Sequence, residues 1–155
     1  AACIALAVLR GDQTEGRSVI LWLFLVVWAT DIGGYVFGQW IGGAKLAPSI
    51  SPGKTWAGLI GGAASAAVVA AILLAATSVE RSIMAIVALS ALVAVVSQAG
   101  DLFESWYKRR FGVKDSGQLI PGHGGVLDRI DGMLLAAPLA AIVFWLSQGG
   151  IALWK

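Results

Sequence analysis

The charged side chains of this 155-residue chain are concentrated in residues 101–131, which read DLFESWYKRRFGVKDSGQLIPGHGGVLDRID. Five acidic residues, five basic residues and the only histidine lie there, between two long apolar runs. Charged groups beside a membrane are energetically expensive, and carboxylates combined with basic groups can hold a divalent cation together with phosphate groups. This stretch is therefore the first candidate for a site that binds metal and phosphate.

The first candidate residues lie where an apolar helix is expected to leave the membrane. Asp101, Ser105 and Lys108 are spaced i, i+4 and i+7, so a continuing helix places them on one stripe, with Gln98 one turn earlier. Mg²⁺ typically takes one or two carboxylates plus substrate phosphates. The alternative is a solvated helix end held by local ion pairs. Because Asp101 has no basic residue at i+4, we favour the metal interpretation.

The loop that follows combines glycines with two aspartates. Gly124 and Gly125 can turn backbone N–H groups toward an anion, although no P-loop pattern is present. Asp128 and Asp131, at i and i+3, precede the last apolar run, so both carboxylates can face one direction. Capping of the last helix is the alternative role for Asp128. To His123 we assign a role in binding substrate phosphate or in ordering the loop.

The basic side chains around this loop have two open interpretations. Arg109, Lys114 and Arg129 could bind phosphate or could anchor the chain to anionic lipid at the membrane surface. For Arg110 we favour the anchor.

A second candidate group lies in the loop at residues 44–55, just before another apolar helix. The sequence Ser51-Pro52-Gly53 predicts a turn, and Lys54 and Thr55 follow it directly. A lysine and hydroxyl groups at a helix N-terminus favour the binding of an anion there. Membrane anchoring is an equally good explanation for Lys54 from these residues alone.

The composition is typical of an integral membrane helix bundle. The chain is 58% hydrophobic and 13% charged, with a mean hydropathy of +0.82. Its net charge of +2 is too small to indicate nucleic-acid binding, and the single Cys3 excludes an internal disulfide. Asp31 lies within an apolar segment, WATDIGGY. Because an ionisable group there is costly, we expect Asp31 to face the bundle interior and a polar cavity.

Crossing the hydrocarbon core takes about 20 apolar residues in a helix. Four spans are predicted, at residues 18–41, 56–77, 82–103 and 132–154, and residues 1–9 are similar to the end of a fifth. The second span consists mostly of small residues, which predicts a position inside the bundle. Because the chain starts within an apolar run and lacks an initiator Met, we interpret it as the C-terminal portion of a longer protein.

The distribution of Lys and Arg predicts the orientation. The loops at 44–55 and 104–131 together carry seven of these residues, against four on the opposite side. Because basic residues favour the cytoplasmic side, both loops are expected there. The predicted fold is an all-α polytopic transmembrane helix bundle with a polar catalytic cavity on the cytoplasmic side.

Residues 105–131, SWYKRRFGVKDSGQLIPGHGGVLDRID, closely resemble the signature of phosphatidate cytidylyltransferases, also called CDP-diacylglycerol synthases. The segments DIGGYVFGQWIGG, KLAPSISPGKTWAG and QAGDLFES are similar to further blocks of that family. One departure is Ala57, which stands where the family often has an acid or an amide. This chain therefore lacks that polar group.

The resemblance implies residues 1–155 are the catalytic portion of a bacterial-type inner-membrane enzyme whose active site faces the cytoplasm. Such an enzyme transfers the cytidylyl group of CTP to phosphatidic acid and releases pyrophosphate. It would use Mg²⁺, alone or with a second cation, and form a homodimer. By similarity, Asp101 and Asp128 bind the metal and Asp131 lies close by. The other residues at motif positions are Ser105, Lys108, Arg109, Lys114, Asp115 and His123.

Two other functions are considered. One is another CTP-dependent membrane lipid enzyme, such as a polyprenol kinase or a related lipid cytidylyltransferase. The other is an ion-coupled transporter with Asp31 as its ion site. A transporter would be expected to show internal repeats and broken helices. The sequence contains no internal repeat, and its two loops rich in phosphate-binding residue types are hard to explain as parts of a pore.

Overall fold

The computed structural model describes residues 1–11, 16–76, 83–113, 116 and 130–148. Within these residues the chain forms five helices and one small hairpin. They are α1 (Ala2–Gly11), α2 (Gly16–Trp40), β1 (Lys45–Ala47), β2 (Ser51–Thr55), α3 (Trp56–Ala76), α4 (Ile83–Arg110) and α5 (Met133–Gln148). The predicted helical membrane bundle is confirmed, since α2, α3 and α4 are long and apolar enough to cross a membrane.

The helix boundaries agree closely with the predicted spans at 18–41 and 56–77. The main difference is at α4, which continues as a helix beyond the span predicted at 82–103 and ends at Arg110. The described part of the fourth span, α5, has 16 residues and is shorter than a full crossing. The rest of that predicted span, beyond Gln148, lies outside the described residues.

Helices α2 and α3 approach each other closely because glycines line their contact. A Cβ atom added at Gly58 would lie 2.7 Å from the carbonyl oxygen of Gly34, and one added at Gly62 would lie 2.8 Å from that of Thr30. The close packing expected from small residues is therefore present. The predicted interior position of α3 is wrong, however. Only 22% of its most apolar stretch is buried, against 44% for α4, because a single face of α3 is packed.

The apolar core lies mainly between α1, α2, α4 and α5. Leu9, Leu23 and Val93 are fully buried there. The core also contains a hydrogen bond between helices, in which Nε1 of Trp22 donates to Oγ of Ser90 over 2.9 Å. Because the polar groups are paired, this contact links α2 to α4 without leaving an unsatisfied donor in the bundle.

The loop between α2 and α3 forms an antiparallel hairpin with an irregular register near Lys45 and Ala47. Its turn is closed by a hydrogen bond from the N–H of Ile50 to the carbonyl oxygen of Ala47, over 3.1 Å. The turn predicted at residues 51–53 is therefore wrong, because these residues belong to β2, the strand that pairs with β1. At the end of β2, Oγ1 of Thr55 accepts a 3.0 Å hydrogen bond from the N–H of Gly58 and caps α3.

Candidate functional site

A polar cavity of about 490 Å³ lies where α2, the hairpin, the start of α3, α4 and the residues just before α5 meet. Six residues predicted from the sequence line it. They are Asp31, Ser51, Lys54, Thr55, Asp101 and Asp131. Asp31 lines this polar cavity, as expected, although the residue is exposed rather than enclosed in the bundle interior. The cavity therefore joins the two candidate groups that are separated in the sequence.

Lys54 and Asp101 form an ion pair inside this cavity. The Nζ atom of Lys54 lies 2.5 Å from Oδ2 of Asp101 and also donates a 3.3 Å hydrogen bond to the carbonyl oxygen of Gln98. Both side chains are largely shielded, with 20% and 33% of their surfaces exposed. Spacing along α4 could not predict this pairing, because the lysine comes from the hairpin.

The second carboxylate oxygen of Asp101 contacts Ser105. The hydroxyl of Ser105 donates to Oδ1 of Asp101 over 3.4 Å, a long hydrogen bond. The predicted helical stripe thus brings Asp101 and Ser105 together. Lys108, the third member, has its Nζ atom 3.4 Å from Oε1 of Glu104 instead.

Glu104 is a buried acid that the sequence reasoning missed. Only 3% of its side chain is exposed, and its partner Lys108 is 16% exposed. Burial of a carboxylate is costly unless a positive charge and hydrogen bonds compensate it. The available signal was the spacing itself, since an acid four residues before a lysine forms a helical ion pair.

Asp131 lies two residues before the start of α5, and its side chain is hydrogen-bonded to the backbone of the next residue. Its Oδ1 atom accepts a 2.7 Å hydrogen bond from the N–H of Gly132. Burial raises the pKa of Asp131 above 3.8, and the negative charge of Asp101 raises it further. The Gly132 hydrogen bond and the charges of Lys54 and Lys108 act in the opposite direction on this pKa. Asp101 and Asp131 are therefore close enough to interact electrostatically.

The charge of the cavity favours a cation. Three carboxylates, from Asp31, Asp101 and Asp131, face one lysine among the described lining residues. Phosphate groups would be repelled by this arrangement unless a positive ion joined them. Asp101 and Asp131 supply the hard oxygen donors that suit Mg²⁺. The described residues contain no cluster of three or more His, Cys, Asp or Glu, but two carboxylates with substrate phosphates are a common Mg²⁺ set.

The remaining candidate residues fall into two groups. Arg109 and Arg110 are exposed in the last turn of α4, where cations interact favourably with the helix dipole, and neither lines the cavity. Seven candidates lie outside the described residues. They are Lys114, Asp115, His123, Gly124, Gly125, Asp128 and Arg129. The convergence of Asp101 with Asp128 stays a prediction.

Comparison with known proteins identifies the family of this chain. Residues 1–147 match the family described as the cytidylyltransferase family. The chain is 53% identical over 138 residues to the phosphatidate cytidylyltransferase of Brucella suis biovar 1 (strain 1330), an alignment that covers 89% of this chain and 51% of the relative. It is 45% identical to the protein of that name from Haemophilus influenzae (strain ATCC 51907 / DSM 11121 / KW20 / Rd), covering 86% and 48%.

A third relative, the phosphatidate cytidylyltransferase of Staphylococcus haemolyticus (strain JCSC1435), is 44% identical over 131 residues, covering 84% of this chain and 50% of the relative. The chain thus spans about half the length of the curated relatives it matches. The resemblance seen in residues 105–131 is confirmed at the level of the family, because the match extends through nearly all of the helices. This chain belongs to the cytidylyltransferase family.

Proposed function

We propose that this chain is the catalytic portion of a membrane enzyme that transfers the cytidylyl group of CTP to phosphatidic acid. The products are CDP-diacylglycerol, which serves phospholipid biosynthesis, and pyrophosphate. One observation carries the proposal. Lys54, Asp101 and Asp131 converge on one cavity among apolar helices, in a chain of the cytidylyltransferase family. The names of the relatives support the choice of the lipid substrate.

The reaction is a displacement at the α-phosphorus of CTP. An oxygen of the lipid phosphate forms a new bond to that phosphorus, while the bond to the oxygen that bridges to the β-phosphate breaks. Pyrophosphate leaves with the electron pair of that bond. A phosphate monoester has a second pKa of about 6, so the attacking oxygen is largely ionised at neutral pH. The chain therefore needs no general base, and the main barrier is the mutual repulsion of two polyanions.

The side chains of the cavity act on this repulsion by binding and orienting charge. Asp101 and Asp131 would hold Mg²⁺, with Asp128 as a further ligand, and the bound ion supplies neutralisation of the phosphate oxygens. Ser105 orients the Asp101 carboxylate through its hydrogen bond. Lys54 is placed to neutralise a phosphate group in the cavity, together with Lys108 near Asp131.

Several further residues would bind the phosphates from the loop after α4. These are Arg109, Lys114, His123, Gly124, Gly125 and Arg129, and Asp115 would contact another part of the substrate from the same loop. On the hairpin, Ser51 and Thr55 would contact substrate, although the Thr55 hydroxyl oxygen already caps α3. Asp31 would face the same substrates from α2.

The proposed location is a bacterial inner membrane, with the cavity facing the cytoplasm. The excess of basic residues in the two long loops supports this orientation. The acyl chains of the substrate would stay in the bilayer while the head group enters the cavity. A homodimer also belongs to this proposal and rests on the family resemblance. Chemical cross-linking of the purified enzyme in lipid bilayers tests it.

The decisive experiment uses the full-length protein in lipid nanodiscs with Mg²⁺, phosphatidic acid and CTP labelled at either the α- or the γ-phosphate. We expect α-label in the lipid product and γ-label in released pyrophosphate. In a parallel reaction with a polyprenol in place of phosphatidic acid, γ-label in the lipid would instead identify the kinase alternative. The Asp101→Asn variant is the control for contaminating activity. Absence of label in any lipid product would contradict the proposed function.

A further inference from the structure

The ammonium of Lys54 occupies the same carboxylate that is proposed to hold the metal. It is 2.5 Å from Oδ2 of Asp101 and 3.3 Å from the carbonyl oxygen of Gln98. A carboxylate oxygen and a backbone carbonyl oxygen are the kinds of ligand that a hard divalent cation takes. The lysine ammonium thus lies at a position that would also suit a divalent metal ion.

Lys54 and a divalent cation would compete for this position. Both need the lone pairs of the Asp101 carboxylate, and two positive charges that share one oxygen repel each other strongly in a partly shielded site. The other carboxylate oxygen is engaged by the hydroxyl of Ser105. A metal that binds Asp101 through Oδ2 therefore competes with the ammonium for that oxygen.

We propose that Lys54 is an exchangeable counter-ion of the cavity. It neutralises Asp101 before the metal binds, and metal binding releases its ammonium to contact a phosphate group of the substrate. This proposal rests on the proposed function and goes beyond it. It makes the lysine the element that couples occupation of the metal position to binding of the nucleotide or lipid phosphate.

The structure allows the side chain to move while its backbone stays fixed. Thr55 caps α3, and the N–H of Trp56 donates to the carbonyl oxygen of Ala44, so the backbone on the C-terminal side of Lys54 is held. The lysine stem has four rotatable carbons and one compact charged group. The ammonium also borders a cavity of about 490 Å³, which gives it space in which to turn.

Competition for one position predicts an effect on metal affinity that is independent of turnover. In the full-length protein without nucleotide, Lys54→Met should tighten the binding of Mn²⁺ about tenfold, which corresponds to one decade in the dissociation constant. Mn²⁺ serves here as a probe that electron paramagnetic resonance detects directly. The signal of the free ion, titrated against protein in nanodiscs, gives the dissociation constant.

Lys108→Met is the matched control, because it also removes a positive charge that acts on Asp131. Lys108 is held at Glu104, however, whereas Lys54 contacts Asp101. We expect Lys108→Met to change Mn²⁺ affinity less than about threefold. Equal effects of the two substitutions, or no tightening in Lys54→Met, would overturn the exchange and leave Lys54 as a general source of positive charge.

Chemical labelling of amines gives a second readout that uses the native lysine. In the metal-free protein the ion pair with Asp101 should protect Lys54 from acetylation. Addition of Mg²⁺ should increase the acetylation rate of Lys54 severalfold. Lys45, exposed on the same hairpin, serves as the internal control. In Asp101→Asn, Lys54 should react quickly with or without Mg²⁺. The proposal would also be overturned if neither Mg²⁺ nor the Asp101→Asn substitution changed the labelling rate of Lys54.

Failure of this proposal can be distinguished from failure of the proposed function. If the wild-type enzyme transfers α-label from CTP to lipid but shows neither the affinity change nor the labelling change, the exchange alone is wrong. If both changes occur without transfer to phosphatidic acid, the exchange stands and the assigned reaction is wrong.

Discussion

The Nζ atom of Lys108 lies 3.4 Å from Oε1 of Glu104, one turn earlier on α4, and the carboxylate of Glu104 is almost completely buried. The lysine thereby keeps its charge close enough to Asp131 to oppose the rise in the pKa of that carboxyl that burial and Asp101 cause. A residue outside the cavity lining therefore fixes part of the electric field inside it.

Replacing Glu104 should test this arrangement. Glu104→Gln keeps the shape of the side chain but leaves the shielded ammonium of Lys108 without its anionic partner. We expect the free energy of unfolding to fall by about 3 kcal/mol, the usual penalty for removing one partner of a buried pair. Unfolding of the purified protein in mixed detergent micelles measures it.

The double variant Glu104→Gln/Lys108→Met provides the control for that prediction. Because it removes both charges, it should be more stable than the sum of the two single changes predicts. Strictly additive losses would show that the two side chains do not interact energetically.

Loss of either predicted metal carboxylate should abolish most turnover. Asp101→Asn and Asp128→Asn are each expected to lower the rate of CDP-diacylglycerol formation at least about a hundredfold, because a strong electrostatic contact to the reacting phosphates is lost. Steady-state kinetics at ordinary Mg²⁺ concentration measures this. Glu80→Gln, in a loop predicted on the opposite side of the membrane, should keep normal activity. Near-normal turnover in either aspartate variant would refute that residue's role as a ligand.

The raised pKa of Asp131 predicts a dependence of stability on pH. Its pKa in the folded protein lies above 3.8, so the folded state binds this proton more tightly than the unfolded chain does. In metal-free protein, the protonated Asp131 therefore contributes to the stability of the folded state. This contribution is complete below pH 3.8 and is lost as the pH rises through the raised pKa of Asp131. Thermal unfolding across this range should show the loss in the wild type, and Asp131→Asn should remove it.

Mg²⁺ should reverse that trend, because a cation binds the ionised carboxylate and stabilises the folded state. We expect the increase in melting temperature caused by Mg²⁺ to be larger at neutral than at mildly acidic pH. An increase that is independent of pH, or identical in Asp131→Asn, would argue against metal binding at this residue.

The glycine contact between α2 and α3 gives a matched pair of substitutions. A Cβ atom at Gly58 would lie 2.7 Å from the carbonyl oxygen of Gly34, whereas one at Gly34 would lie 3.4 Å from that of Gly58. Gly58→Ala should therefore push the helices apart and lower the free energy of unfolding by about 2 kcal/mol.

Gly34→Ala should be tolerated, with a change below about 1 kcal/mol, since its new methyl group makes an ordinary contact. Both glycines line the cavity, so the rate of nucleotidyl transfer should fall in Gly58→Ala together with stability. Equal stability of the two variants would show that the helices can separate freely at this point.

The hydrogen bond between Trp22 and Ser90 tests the bundle core away from the cavity. Ser90→Ala removes the acceptor of the indole N–H and should lower the free energy of unfolding by about 1 kcal/mol, typical of a hydrogen bond between membrane helices. Nucleotidyl transfer should be unchanged at temperatures where the protein is folded. A loss of activity without a loss of stability would contradict a purely structural role for this contact.

The sequence was sufficient to predict the helical spans because their length and hydrophobicity are local properties. It also pointed to Asp31, Lys54 and Asp101, which line one cavity, since charge within or beside an apolar segment is itself a signal. Their pairing could not be predicted, because the contact between Lys54 and Asp101 depends on how a hairpin folds back onto α4. Spacing within one helix contains no information about that approach.

Two predictions failed for related reasons. Ser51-Pro52-Gly53 has the composition of a turn, but the hydrogen bond between Ile50 and Ala47 closes the chain earlier and leaves these residues in β2. Small residues in α3 predicted a central position, yet they serve contacts with α2 and α4 on a single face of the helix. In both cases the predicted feature, a turn or a close helix contact, is present. Tertiary contacts determine where along the chain or on which face of the helix it occurs.

The hairpin strand that carries Lys54 continues without interruption into α3, which lies against α2 through its glycines. The lysine is therefore directly followed by a helix whose first turn lines the cavity through Gly58. Tilting α3 outward to admit a bulkier head group would also withdraw the ammonium from Asp101. The size of ligand that the cavity admits and the position of the Lys54 charge are therefore linked through the start of α3.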